Sequence, residues 1–292
     1  MERENFGTKA KNFWKALRRY PVIPIIILVV VVFFALFANF ISPHNPEKIA
    51  LPDRLTPPFF MSGGSMDHIL GTDSLGRDIF SRIIYGARIS LSISVLVIAI
   101  ASAVGTLLGM IAGYMGGRTD HFLMRLTDGA LAFPALLVAL LLGAVLGPSF
   151  WTTVVSVAAL SWAPYARMIR GEIIKLREED FVAQARIIGS SPTRILMKHI
   201  FPNIVNTLVV LMTMSVGLVI LIEASLSFLG AGVPPPTPTW GQMVSEGRSL
   251  FAKAWWISLF PSLAIGFVVL AGNLLGDWIR DRMDPRLKQY EK

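Results

Sequence analysis

Six long apolar stretches leave this chain few ways to fold. They run from about Pro21 to Ile41, Ile89 to Tyr114, Leu126 to Leu146, Phe150 to Tyr165, Ile204 to Leu229 and Trp256 to Gly276. A bilayer-spanning helix needs about 20 mostly apolar residues. The expectation is therefore an all-α integral membrane protein with six transmembrane helices. Composition agrees: of 292 residues, 53% are hydrophobic and only 16% charged, against about 25% charged in a soluble domain. Mean hydropathy is +0.59. A soluble enzyme and a disordered chain are both excluded on that ground. The absence of cysteine excludes a disulfide scaffold, a zinc ribbon, an iron–sulfur site and a thiol nucleophile. The first stretch exceeds the roughly 7–15 residues of a signal-peptide core and is followed by no good small-x-small site, so it reads as an anchor.

Orientation follows from basic residues near the span ends. Arg3, Lys9, Lys11, Lys15, Arg18 and Arg19 lie before the first span. Arg167, Arg170, Lys175, Arg177, Arg186, Arg194 and Lys198 lie between the fourth and fifth. Arg280, Arg282, Arg286, Lys288 and Lys292 follow the sixth. Six crossings put all three groups on one side, which is then the cytoplasm, with both termini there. The net charge of +8 is thereby explained by membrane topology, and nucleic acid is not needed as a partner. The resulting layout is a cytoplasmic tail over 1–20, an anchor over 21–41, an extracytoplasmic loop over 42–86, a membrane core over 87–280 and a cytoplasmic tail over 281–292. The outer segment 230–254 is rich in proline, which pre-sets an extended path. Outer loops this long read as shaping an external mouth.

Ionisable groups inside a bilayer are costly and point to function. Glu223 is the one deep candidate. It either hydrogen-bonds a neighbouring helix or lines a substrate path. Arg125 and Asp128 are spaced to pair on one helix face. Asp73, Arg77, Asp78 and Arg82, ahead of the second span, form either a local salt-bridge cluster or part of an outer gate. Gly105, Gly109 and Gly113 make a small-residue stripe that lets another helix approach closely. Pro134, Pro164 and Pro261 are expected to kink their helices. His44, His68, His121 and His199 all fall outside the spans, so no metal site is expected there. No Gly-x-x-x-x-Gly-Lys-Ser/Thr loop is present for binding ATP. Midplane carboxylates and repeated halves, the marks of an ion-coupled carrier, are also missing.

The stretch 178–203 is the most informative. Phe181, Val182, Ala185 and Ile188 follow helical spacing, which predicts a short amphipathic helix. Gly189 ends it as a C-cap. Ser191 is a good N-cap and Pro192 a good first helical residue. A second short helix follows through Ile195, Leu196 and His199, closed by Pro202 before the fifth span. The pair is either a surface connector or a docking element for a soluble partner.

Phe181-Val-Ala-Gln-Ala-Arg-Ile-Ile-Gly189, with His199-Ile-Phe-Pro202 after it, resembles the "EAA" coupling motif of permease subunits in bacterial ATP-binding-cassette importers. Ala183 stands where that family usually has Glu, and Gln184 where it has Ala. Ala185, Gly189 and Pro202 fit. His68-Ile-Leu-Gly-Thr-Asp-Ser-Leu-Gly-Arg-Asp-Ile-Phe-Ser-Arg82 resembles the block before the second span in dipeptide, oligopeptide and nickel permeases. Further similar blocks follow in order: Gly113–Gly117, Leu131–Pro134, Glu223–Gly230, Pro236–Gly241 and Asp284–Leu287. The whole is similar to the C-type permease subunit.

That resemblance implies a type I ABC importer permease fold, with a cytoplasmic coupling-helix pair over about 178–202. It implies a homologous B-type permease as partner, two ATPase subunits that carry ATP and Mg, and an extracytoplasmic solute-binding protein. The chain itself would bind no cofactor and catalyse nothing. Its place would be the cytoplasmic membrane of a bacterium or archaeon. The implied cargo is a di- or oligopeptide; nickel or another small solute is the alternative within the family, and an ion-coupled secondary transporter the alternative outside it.

Overall fold

The computed structural model describes residues 21–283. The N-terminal basic tail, the final residues of the C-terminal tail and the Asp284–Leu287 block lie outside the described residues. Helix accounts for nearly all regular structure among the described residues, with one isolated bridge between Thr72 and Asp78. The elements are α1 (Val22–Leu36), α2 (Ala38–Ile41), α3 (Ile79–Met115), α4 (Gly117–Ala132), α5 (Ala135–Leu146), α6 (Phe150–Ser161), α7 (Ala163–Arg177), α8 (Asp180–Ile187), α9 (Pro192–Phe228), α10 (Trp240–Gly247) and α11 (Trp256–Met283). Three of them, α3, α9 and α11, are long and apolar enough to cross a bilayer alone, and α4 with α5 makes a fourth if that bent pair counts as one.

Proline chemistry explains where the expected spans break. The stretch from Leu126 to Leu146 is not one straight helix, because α4 and α5 meet at 84°. Proline excludes helical backbone from the residue before it, and Phe133 is accordingly extended (φ −90°, ψ 139°). Pro164 falls in the first turn of α7, where a missing N–H costs nothing. Pro261 is carried inside α11 without ending it. The second apolar stretch is preceded by further turns of the same helix. Helix α3 begins at Ile79, because the Asp78 carboxylate accepts a hydrogen bond from the Ser81 N–H and caps it.

Helix α3 is the central post. It packs most extensively against α7 and also meets α1, α6 and α9. The glycine stripe makes the α3–α7 seam. A Cβ placed on Gly105 would lie 2.4 Å from the Trp162 carbonyl oxygen. One on Gly109 would lie 2.7 Å from the Ala166 carbonyl oxygen, and one on Gly113 2.7 Å from Ile173 Cβ. The two backbones are in direct contact there. Between α3, α6 and α9, Ile93, Val97, Val154, Val157, Val219 and Leu226 form a buried core. Lipid tails are as apolar as these side chains, so such packing is held by close van der Waals fit rather than by escape from water. The outward faces stay apolar: Ile26, Val29, Leu137, Leu141, Phe267 and Leu270 are exposed. A patch of that kind marks a lipid or protein interface.

Candidate functional site

At one end of the bundle the chain folds into a compact knob. Val182 and Ala185 are buried and join Ile169, Ile173, Ile195, Ile200 and Ile204 in one apolar cluster, with Phe181 packed at its edge. Gly189 has φ +82°. Its N–H donates to the Arg186 carbonyl at 3.0 Å, and the Ser190 N–H donates to the Ala185 carbonyl at 3.0 Å. That pair of bonds is a Schellman cap, which requires a left-handed residue where glycine stands. The Ser191 hydroxyl then accepts from the Arg194 N–H, and Pro192 opens α9. Ala183 and Gln184 lie on the exposed face of α8.

Two expectations for this segment are corrected. Ile188 does not join the buried face; it is 82% exposed, and Ile187 beside it is 84% exposed. Ile188 is the last, half-helical residue before the reversal, so its side chain leaves the 182/185 stripe. Nor does Pro202 close a separate short helix. Residues 192–228 run as one helix with a π turn at Ile195–Ile200. The Phe201 N–H reaches the Leu196 carbonyl, one residue further than in an α-helix. That widened turn makes room for Pro202, whose ring would otherwise strike the preceding turn. His199 lies in the π turn, and its carbonyl accepts from Asn203 Nδ2 at 2.6 Å.

The knob is fixed to the post. The Arg186 guanidinium sits 5.7 Å from the Tyr114 ring centroid, and Arg177 donates to the Gly113 carbonyl at 3.3 Å. On the flank, Arg170 pairs with Asp120 at 2.6 Å and Arg167 with Asp128 at 2.5 Å. The expected pairing of Asp128 with Arg125 on one helix does not form, because α7 runs antiparallel beside α4 and offers Arg167 instead.

At the opposite end, the loop before α3 and the segment around α10 form a cap. Asp73, Arg77 and Arg82 are buried, and Glu246 of α10 joins their network. Arg77 Nε donates to Asp73 Oδ2 at 2.6 Å and its Nη2 to Glu246 Oε2 at 2.8 Å. Arg82 Nη1 bridges Asp73 Oδ2 and Glu246 Oε2, the latter at 2.6 Å. The second Asp73 oxygen accepts from the Leu75 and Arg77 N–H groups. Two indoles tie the cap down: Trp240 Nε1 donates to the Ile83 carbonyl at 3.0 Å and Trp256 Nε1 to the Thr72 carbonyl at 3.1 Å. Asp78 stays out of this network and caps α3. Sequence reasoning placed Asp73, Arg77 and Arg82 together but missed Glu246. A carboxylate 164 residues from Arg82, on the short helix α10, gives no local signal.

Glu223 is fully buried in α9. One oxygen accepts from the Ser227 hydroxyl at 2.9 Å. The other lies near Ser90 of α3 but makes no well-formed hydrogen bond. Ser227 also lines a cavity of about 350 Å³ beneath the cap, together with Pro148, Val233, Gln242 and Glu246. The structure therefore separates the expected site residues into two groups. Phe181 to Pro202 form the knob at one end. Asp73, Arg77 and Glu223 belong to the capped end, and the glycine seam joins the two.

Comparison with known proteins agrees with this architecture. Residues 105–289 match the family model described as binding-protein-dependent transport system inner membrane component. Residues 9–58 match the N-terminal TM domain of oligopeptide transport permease C. A glutathione transport system permease protein, GsiD of Pectobacterium atrosepticum, is 40% identical over 283 residues, covering 96% of this chain and 92% of the relative. GsiD of Shigella sonnei is 42% identical over 278 residues, 94% and 90% respectively. A di/tripeptide transport system permease protein, DppC of Pseudomonas aeruginosa, is 41% identical over 254 residues, 87% and 84%. The chain belongs to the family of binding-protein-dependent transport system inner membrane components, and is a multi-pass permease rather than an enzyme.

Proposed function

We propose that this permease carries short peptides, di- and tripeptides or glutathione, inward across a bacterial cytoplasmic membrane, powered by ATPase subunits docked on the 178–202 knob. The relatives named above are permeases for those solutes, which supports the substrate class. The observation that carries the coupling role is the knob itself. Its turn is closed by a Schellman cap, its inner face is sealed by apolar packing, and its tip offers Ile187 and Ile188 to a partner. A short element seated in a partner's groove acts as a lever, and two packings of the bundle supply the switch. ATP binding must favour one packing over the other for the lever to move anything.

In this reading the bundle crosses the bilayer six times, through α1 with α2, α3, the bent pair α4–α5, α6 with α7, α9 and α11. Both termini and the knob then face the cytoplasm, as the basic residues require. The capped end faces outward and receives substrate from a solute-binding protein. A second, homologous permease completes the path. Among this chain's apolar faces, those of α5 and α11 are broad enough to pack against it or against lipid. ATP and Mg belong to the ATPases.

The test is uptake by the assembled complex in proteoliposomes. Labelled dipeptide or glutathione should accumulate only with ATP and binding protein present, and should persist when ion gradients are collapsed. Uptake that survives ATP depletion and stops with the ion gradient would show an ion-coupled carrier instead.

A further inference from the structure

One cluster of side chains at the capped end has no part in the ion network or the substrate path. His44, His68 and Asp78 each bring a potential metal-ligand atom to one place, all within 4.8 Å of one another. The two imidazole rings lie side by side, centroids 4.7 Å apart. They border a cavity of about 290 Å³ that Asp53 and Asp67 also line. We propose that His44, His68 and Asp78 bind one divalent transition-metal ion of the zinc class, which clips the loop after α2 to the N-terminus of α3.

The donor set is the first argument. Two imidazoles and a carboxylate suit zinc, with water as a fourth ligand, whereas magnesium and calcium favour all-oxygen sites. The outer shell is the second. His44 Nε2 lies 2.7 Å from the Asp67 carbonyl oxygen. A carbonyl can only accept, so Nε2 carries the proton and Nδ1 keeps its lone pair. Metal-bound histidines are oriented by this kind of bond to their other nitrogen. Asp78 is fixed in the same way: one oxygen accepts from the Ser81 N–H at 2.7 Å, and the other stands 3.0 Å from His68 Nδ1.

Distance is the third argument. Metal–ligand bonds of about 2.0–2.2 Å set neighbouring ligand atoms roughly 3.4 Å apart in a tetrahedron. His68 Nδ1 and Asp78 Oδ1 already stand 3.0 Å apart, in a hydrogen bond whose proton the ion would displace on binding, and His44, the most exposed of the three, has the freedom to close the remaining gap. The three ligands come from positions 44, 68 and 78, so a bound ion would cross-link the whole loop that carries Asp73 and Arg77.

The assembled complex, stripped with chelator, is titrated with zinc ion alone, and bound metal is counted after dialysis. One tight zinc per copy of this chain is expected, retained against a large excess of magnesium and calcium. His44→Ala should weaken binding by at least about tenfold and remove the zinc-dependent rise in thermal midpoint. It leaves the Asp78 cap and the buried network intact, so the variant should still fold. His121→Ala, on exposed α4, should bind as the parent does. Zinc binding that is unchanged by His44→Ala, or no tighter than magnesium binding, would overturn the assignment and leave His68 and Asp78 as a hydrogen-bonded pair.

Discussion

The two ends of the bundle are built from opposite materials. The capped end buries charge: two arginines and two carboxylates hold one another across 173 residues of sequence, from Asp73 to Glu246. The knob end buries branched aliphatics and leaves its charges at the rim. It also leaves Ile187 and Ile188 bare at its tip. Burying an ion pair seldom adds net stability over an apolar core, but losing one partner is severe. A charged network therefore makes a stiff, all-or-none latch. An apolar knob with an exposed tip is a surface that gains by docking. The difference fits the proposed division of labour, rigidity at the capped end and partner recognition at the knob.

Several substitutions break or sharpen that contrast. The largest effect is expected at the latch. Arg82→Ala leaves Asp73 buried beside a single remaining arginine and should cost about 3–5 kcal/mol, read as loss of folded protein in a detergent melt. If Arg82→Ala melts like the parent, the cap is not a latch. Next is the seam that joins the ends. Gly109→Leu must force α3 from α7, since even a Cβ would meet the Ala166 carbonyl oxygen at 2.7 Å. Overpacking of that kind costs about 1–3 kcal/mol, and the melt should show it.

At the knob, the expected loss is functional rather than structural. Gly189→Val has open space around its Cβ but must hold φ +82°, at a cost of roughly 1–2 kcal/mol. The protein should remain in the membrane while ATP-driven uptake falls at least tenfold. Normal uptake by a well-expressed Gly189→Val variant would remove the coupling role from this turn. The smallest effect is expected at Glu223→Gln, which keeps the shape and the Ser227 contact. Full burial against Ser227 favours a packing role, so uptake should stay within about twofold of the parent; a larger loss would place Glu223 on the substrate path.

Much of this was legible in the chain, for identifiable reasons. The apolar stretches within α3, α9 and α11 announce themselves because lipid selects for uninterrupted apolar runs. The Gly105–Gly109–Gly113 seam was legible because only glycine lets backbones touch. Gly189, Ser191 and Pro192 were legible because caps and turns are chosen residue by residue. Three features were not. A kink at Pro134 was expected, but its size, 84°, depends on what packs beside it, since Pro261 sits inside an unbroken helix. The exposure of Ile188 depends on where α8 reverses, which shifts a side chain from one face to another. Glu246 joins Arg77 and Arg82 only through tertiary structure, which local periodicity does not encode.

The chain lacks cysteine, so a single introduced thiol reports one position unambiguously. The most direct test of the account places Ile187→Cys in the assembled complex and asks which subunit it cross-links. The account predicts a cross-link to the ATPase subunit from Ile187→Cys, and none from Met66→Cys, which is also well exposed, at the capped end. A cross-link to the ATPase from Met66→Cys, or none from Ile187→Cys, would contradict the assignment of the knob as the coupling element.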